Sequence, residues 1–123
     1  MSAKRSRRAT DSLGTVPISP GARWGASTQR TLEAFAVSGR RMPPAVISAI
    51  ATIKAEAAVV NHELGVSGVD AEVAAAVHRV SRQIAEGEWA SEFPLDMFQS
   101  GSGTSSNMNV NEVVAFLASE SLG

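Results

Sequence analysis

The 123-residue chain has no cysteine and no tyrosine. Without cysteine there is no disulfide framework and no thiolate chemistry. Only six aromatics are present, four Phe and two Trp, so the 44% apolar content must pack largely through Ala, Val, Ile and Leu. That composition favours close-packed helices. Eleven basic against twelve acidic residues leave a net charge of −1, with no surplus of Lys and Arg to recommend nucleic acid as a partner. No uninterrupted apolar run reaches the roughly 20 residues of a membrane span, and none follows the N-terminal bases as a secretory signal would require. A cytoplasmic protein without membrane or nucleic-acid partners is the expectation, and the length fits one domain.

What is present divides into a scaffold and one chemically suggestive loop. Lys4, Arg5, Arg7 and Arg8 crowd the first eight residues, and residues 1–10 read as a solvated, disordered basic start. Leu13–Ile18 alternates but is broken by Gly14 and Pro17, which limits it to an edge strand or extended arm. Ala26 to Phe35 reads as a short helix starting at Ser27 or Thr28 and stopped by Gly39. Pro43 and Pro44 suit the first turn of a longer helix. In that helix Val46, Ile50, Ile53, Ala57, Val60 and Leu64 recur every three or four residues as the expected core stripe, and Gly65 is its C-cap. Val69, Val73, Ala76 or Val77, Val80 and Ile84 repeat the spacing after an N-cap at Ser67 or Asp70, with Gly87 as the stop. The short connection predicts an antiparallel helical hairpin with an apolar face left for further partners. Phe93–Phe98 reads as a strand or extended segment. A final helix is expected to carry Val110, Val113, Val114 and Leu117 on one side, with Asn109 and Glu112 as a capping box.

The loop Gly101-Ser-Gly-Thr-Ser-Ser106 offers four hydroxyls and two conformationally permissive glycines just before that helix. Donors at a helix N-terminus bind anions, so a carboxylate or phosphate is a natural guest. A flexible Ser/Gly linker has the same composition, and residue types alone leave both readings open. The loop lacks the third glycine of a dinucleotide fingerprint and the Gly-Lys of a phosphate loop. Asn107, Asn109 and Asn111 would need partners if buried. His62 and His78 have no metal-ligand spacing, so no metal and no cofactor are expected. Trp24 and Trp89 read as packing anchors at segment joints.

At this loop the sequence becomes recognisable. Phe93-Pro-Leu-Asp-Met-Phe-Gln-Ser-Gly-Ser-Gly-Thr-Ser-Ser-Asn-Met-Asn109, followed by Asn111-Glu112, resembles the first signature region of class II fumarate hydratases in the fumarase/aspartase superfamily. Asp11-Ser-Leu-Gly-Thr-Val-Pro-Ile18, Arg23-Trp-Gly-Ala-Ser-Thr-Gln-Arg30, Val37–Pro44 and Ile53–Gly65 are similar to the family's N-terminal region in order and spacing. Ser100, Ser27 and Ala36 depart from the family's usual Thr, Gln and Pro.

The resemblance implies a mainly α fold over residues 11–123, the N-terminal domain of the lyase-type fold, with a helical hairpin and a short extended arm. It implies reversible hydration of fumarate to (S)-malate, a tricarboxylic acid cycle reaction, in a homotetramer whose sites combine segments of three subunits. Ser102, Gly103 and Thr104 match the family's substrate-binding Ser-Gly-Thr. The family's second serine-asparagine signature, its catalytic histidine, its mobile loop with a catalytic serine and lysine, and its central helical bundle have no counterpart here. The chain is therefore expected to be an N-terminal fragment, inactive alone and without catalytic residues of its own. An aspartate ammonia-lyase-like parent and a non-catalytic helical interaction fragment are the alternatives.

Overall fold

A computed structural model describes residues 6–123. An antiparallel hairpin of β1 (Arg7–Asp11) and β2 (Gly14–Ile18) leads into α1 (Ala26–Ala34), α2 (Pro44–Glu63) and α3 (Ala71–Ala85). A short 3-10 turn (Ala90–Glu92), an extended segment and α4 (Thr104–Leu122) follow. The fold is mainly α, as expected. Lys4 and Arg5 of the basic start lie outside the described residues, but a disordered start does not extend to residue 10. Arg7 and Arg8 belong to β1, where Arg8 faces Pro17 across the ladder. Arg7 is far from merely solvated: its guanidinium donates to the carbonyls of Trp24 and Ala22 and lies 4.9 Å from the centre of the Phe116 ring.

The helix limits follow the local chemistry. Pro44 occupies the first turn of α2, where its missing N–H is not needed. Past the last turn, Gly65 at φ +69° and the bonds Gly65 N to His62 O and Val66 N to Asn61 O close the C-terminus. Asp70 caps α3 by accepting from Val73 N at 2.9 Å, and Gly87 ends it at φ +96°. The hairpin is antiparallel, because Ser48 Oγ donates to Ala85 O at one end while His62 Nδ1 meets Val69 O at the other.

Which side of α2 faces inward differs from the sequence expectation. The buried residues are Ile47, Ala51, Ala55 and Ala58, roughly 130° around the helix from the stripe of larger apolar residues. On that stripe Ile53 is 67% exposed and Leu64 75% exposed. The cause is close packing: Ala51 and Ala55, with no accessible surface, let α3 approach nearer than branched side chains would allow. Residue size indicated the wrong face. In α3 the expected stripe holds better, with Ala76, Val80 and Ile84 buried.

Val80 and Ile84 join Ile47, Ala51, Phe93, Trp24, Val16, Ile18 and the α4 residues Val110, Val113, Val114 and Leu117 in one core. Helix α2 also passes, by length and composition, as a possible membrane span, with a mean hydropathy of 1.3 and 22% of that window buried. No uninterrupted apolar run marks it, because Lys54 and Glu56 break a segment that is apolar on average.

Candidate functional site

Two backbone constraints shape the turn before α4. Gly101 has φ +95° and Gly103, the residue preceding the helix, φ +71°, a region that side-chain-bearing residues seldom occupy. Between them Ser102 is turned outward, and its hydroxyl lies 2.9 Å from Thr104 Oγ1. Both side chains are exposed. Gln99 steadies the turn from inside: its Oε1 accepts from Ser106 N at 3.2 Å and its Nε2 donates to Ser106 Oγ at 2.7 Å. Ser106 is buried. The loop is thus tied to the helix it precedes, unlike a free linker. Thr104 and Ser105 occupy the first turn of α4, whose N–H groups have no partner within the helix and carry its positive dipole end. Two hydroxyls and a helix N-terminus on one open surface can donate to an anionic oxygen. They supply no strong acid or base.

The surroundings hold this turn in place. Thr31 Oγ1 of α1 donates to Ser105 Oγ at 3.4 Å. Helix α1 in turn lacks a cap of its own, since its N-cap residue is Gly25 and not Ser27 or Thr28. Its cap comes from α4. The Glu112 carboxylate accepts from Ser27 N at 3.1 Å, from Thr28 N at 2.8 Å and from Thr28 Oγ1 at 2.6 Å. Gly25 makes room for it, as a Cβ there would stand 2.0 Å from Glu112 Oε2.

Glu112 and Asn109 therefore form no capping box. Helix α4 begins at Thr104, which places both in its interior, where Asn109 is buried and donates to Glu92 O at 2.9 Å. Asn111 Nδ2 reaches only Met108 sulfur, at 3.7 Å.

A second carboxylate fixes the approach to the loop. The extended segment expected over residues 93–98 is present, bridged to residues 40–42 by Met42 N to Leu95 O and Met97 N to Arg40 O. Asp96 accepts from the backbone N–H groups of Phe98, Ser38 and Gly39 and from Ser38 Oγ. These donors, the Phe98 amide foremost, overcome desolvation and lower its pKa to about 2.

Farther out, Arg30 grips Asp11 with two bonds at 2.9 and 3.0 Å, which lowers the carboxyl pKa and joins the β-hairpin to α1. Gln29 Oε1 accepts from Trp24 Nε1 and from both Ser19 donors. Buried Glu92 receives Arg23 N at 2.7 Å, while the Arg23 guanidinium lies 4.6 Å from the Trp89 ring centre. Trp24 is a buried anchor; Trp89 sits at a joint with φ +63°. Periodicity marks none of the residues Gln99, Asp96, Glu92 and Gln29, because most of their partners lie in other segments.

His62 is exposed, and His78 Nε2 stands 4.0 Å from Glu56 on the neighbouring helix. Among the described residues no three His, Asp or Glu side chains converge as metal ligands.

A family model described as lyase matches residues 14–123. The chain is 50% identical over 117 residues to class II fumarate hydratase of Nitrosomonas europaea, covering 95% of this chain and 25% of that one. It is 50% identical over 118 residues to class II fumarate hydratase 1 of Pseudomonas aeruginosa, covering 96% and 25%. Among solved structures, class II fumarase from Schistosoma mansoni superimposes with a TM-score of 0.90 at 38% identity, over 96% of this chain and 25% of that one. A fumarate lyase:delta crystallin from Brucella melitensis gives 0.89 at 39% identity, over 96% and 27%. The chain spans about a quarter of the length of these relatives. The family match over nearly all of its length, together with this agreement in fold, means that the chain belongs to the lyase family and is similar within it to class II fumarate hydratases.

Proposed function

We propose that this chain supplies one wall of a fumarate hydratase site, for reversible hydration of fumarate to (S)-malate, with Ser102, Gly103 and Thr104 as its substrate-binding segment. The observation that carries the reading is the outward pair Ser102 Oγ and Thr104 Oγ1 at the start of α4. The reaction explains why such a pair is useful. Removing a proton from the carbon beside a carboxylate builds negative charge on that carboxylate, and fixed donors that bind more strongly as charge develops lower the barrier. Neither hydroxyl has a base beside it, so both position substrate and carry no proton. Gly103 contributes the left-handed turn that lets the first amides of α4 face the same guest.

Because the surface is open and carries no base, the 123 residues by themselves are expected to be inactive, and the remaining walls belong to other parts of a lyase-length assembly. A chimera tests this: the matching quarter of the Nitrosomonas europaea enzyme is replaced with this chain, and fumarate absorbance is followed. The chimera hydrates fumarate and the isolated chain does not. Hydration by the isolated chain, or a folded chimera without activity, would overturn the proposal.

A further inference from the structure

The N-termini of α1 and α3 are each met by a carboxylate. Glu112 accepts from Ser27 N and Thr28 N at the start of α1. Asp70 accepts from Val73 N at the start of α3, with Glu72 also in its first turn. At the start of α4 an amide takes this place. Gln99 Oε1 accepts from Ser106 N at 3.2 Å, and since a backbone N–H can only donate, the other end of the side chain is its NH2 group, which donates to Ser106 Oγ at 2.7 Å. The helix has no side-chain cap at its own N-cap residue, Gly103. Gln99 therefore grips the third residue of α4 from the preceding strand of chain, and its partner Ser106 is only 2% exposed.

A carboxylate at position 99 would make the same two bonds, accepting from Ser106 N with one oxygen and from the Ser106 hydroxyl with the other. What the amide adds is neutrality. Residues 97–111 contain no Asp, Glu, Lys, Arg or His, and no acid stands in the first turn of α4, where one is ordinarily stabilising. A capping carboxylate would offset the positive end of the helix and repel an anion at Ser102 and Thr104. The amide holds Ser106 and leaves the helix dipole, with the amides of Thr104 and Ser105, to the guest.

We infer that Gln99 is a positioning residue that fixes the Ser102–Thr104 segment through Ser106, and that its neutral amide keeps the positive end of α4 available to a dicarboxylate; this role rests on the fumarate hydratase reading. Geometry and charge are separable. Breaking the clamp displaces the two hydroxyls and lowers kcat, whereas adding charge with the clamp intact weakens substrate binding and raises KM.

The test uses the chimera at about pH 8, where a glutamate is ionised, with kcat, KM for fumarate and Tm measured on each variant. Gln99→Met fills similar space without a polar end and should lower kcat about tenfold or more at temperatures well below its Tm. Gln99→Glu restores both bonds. It should bring kcat back near the parent value while raising KM about fivefold at low ionic strength, and the rise should shrink as salt is added. A Gln99→Met chimera with the parent's kcat, whatever its Tm, would overturn the inference, as would a Gln99→Glu chimera that fails to recover kcat or keeps the parent's KM. Should Gln99→Met fail to fold, Gln99→Glu decides through KM and its salt dependence. Thr104→Ala separates the two levels: loss of kcat there with none in Gln99→Met removes the clamp alone, and an unaltered kcat in both removes the fumarate hydratase reading and this role with it.

Discussion

Outside the α2–α3 hairpin, separate segments are joined by carboxylates: Asp11 to Arg30, Glu112 to the start of α1, Asp96 to the Ser38–Gly39 turn and Glu92 to Arg23. In the α2–α3 hairpin, joining falls mainly to alanine packing at Ala51, Ala55 and Ala58, with Ser48 and His62 bonding at its ends and large apolar side chains turned outward. Hydrogen bonds to a carboxylate are directional and fix angles as well as distances, whereas apolar packing tolerates sliding. The first region carries the loop with Ser102 and Thr104; the second carries an exposed apolar stripe. Directional joining and exposed apolar surface thus fall to different parts of one short chain.

Substitutions can break this contrast at either end. The largest loss is expected from Glu112→Ala, which orphans two amides and the hydroxyl of buried Thr28 and should cost about 2–4 kcal/mol in denaturant unfolding. Gly25→Ala should fail for the complementary reason, since its methyl would occupy the carboxylate's place. In the packed region Ala55→Leu, inserted where no accessible surface remains, should cost about 1–3 kcal/mol by overpacking. If it proves neutral, the alanine seam is looser than described.

Asp96 gives the contrast a pH dependence. Its carboxyl is held at about 2 in the folded chain, below the unfolded value of about 3.9. Its contribution is therefore complete above about pH 4 and disappears as pH falls toward 2. Tm measured across that window should fall, and Asp96→Asn should remove this part of the dependence. The smallest effect belongs to Ile53→Lys in the isolated chain, within about 0.5 kcal/mol, because the side chain is mostly in solvent.

Punctuation was the legible part of the sequence. Pro44, Gly65, Asp70 and Gly87 mark helix ends by chemistry that acts within a few residues, and all four stand where that chemistry puts them. The loop of Gly101 and Gly103 was equally visible, as was its position before α4. Two things were hidden. The inward face of α2 was misread because large residues outweighed alanines, although the alanines permit the closest approach. Glu112 was assigned to a local capping box because its real partners, Ser27 and Thr28, lie 85 and 84 residues away. A single chain gives no signal for pairs so distant, and Gln99 with Ser106 escaped for the related reason that a side chain reaching a helix end has no period.

The central claim is that Ser102 and Thr104 act as fixed donors to a substrate carboxylate. It is tested most directly by kcat for fumarate hydration in the chimera carrying Thr104→Ala, with Tm measured on the same sample. The account predicts a fall in kcat of about 100-fold or more with Tm nearly unchanged, since the Thr104 side chain is exposed. An unaltered kcat would contradict it and return the loop to the role of a connecting turn.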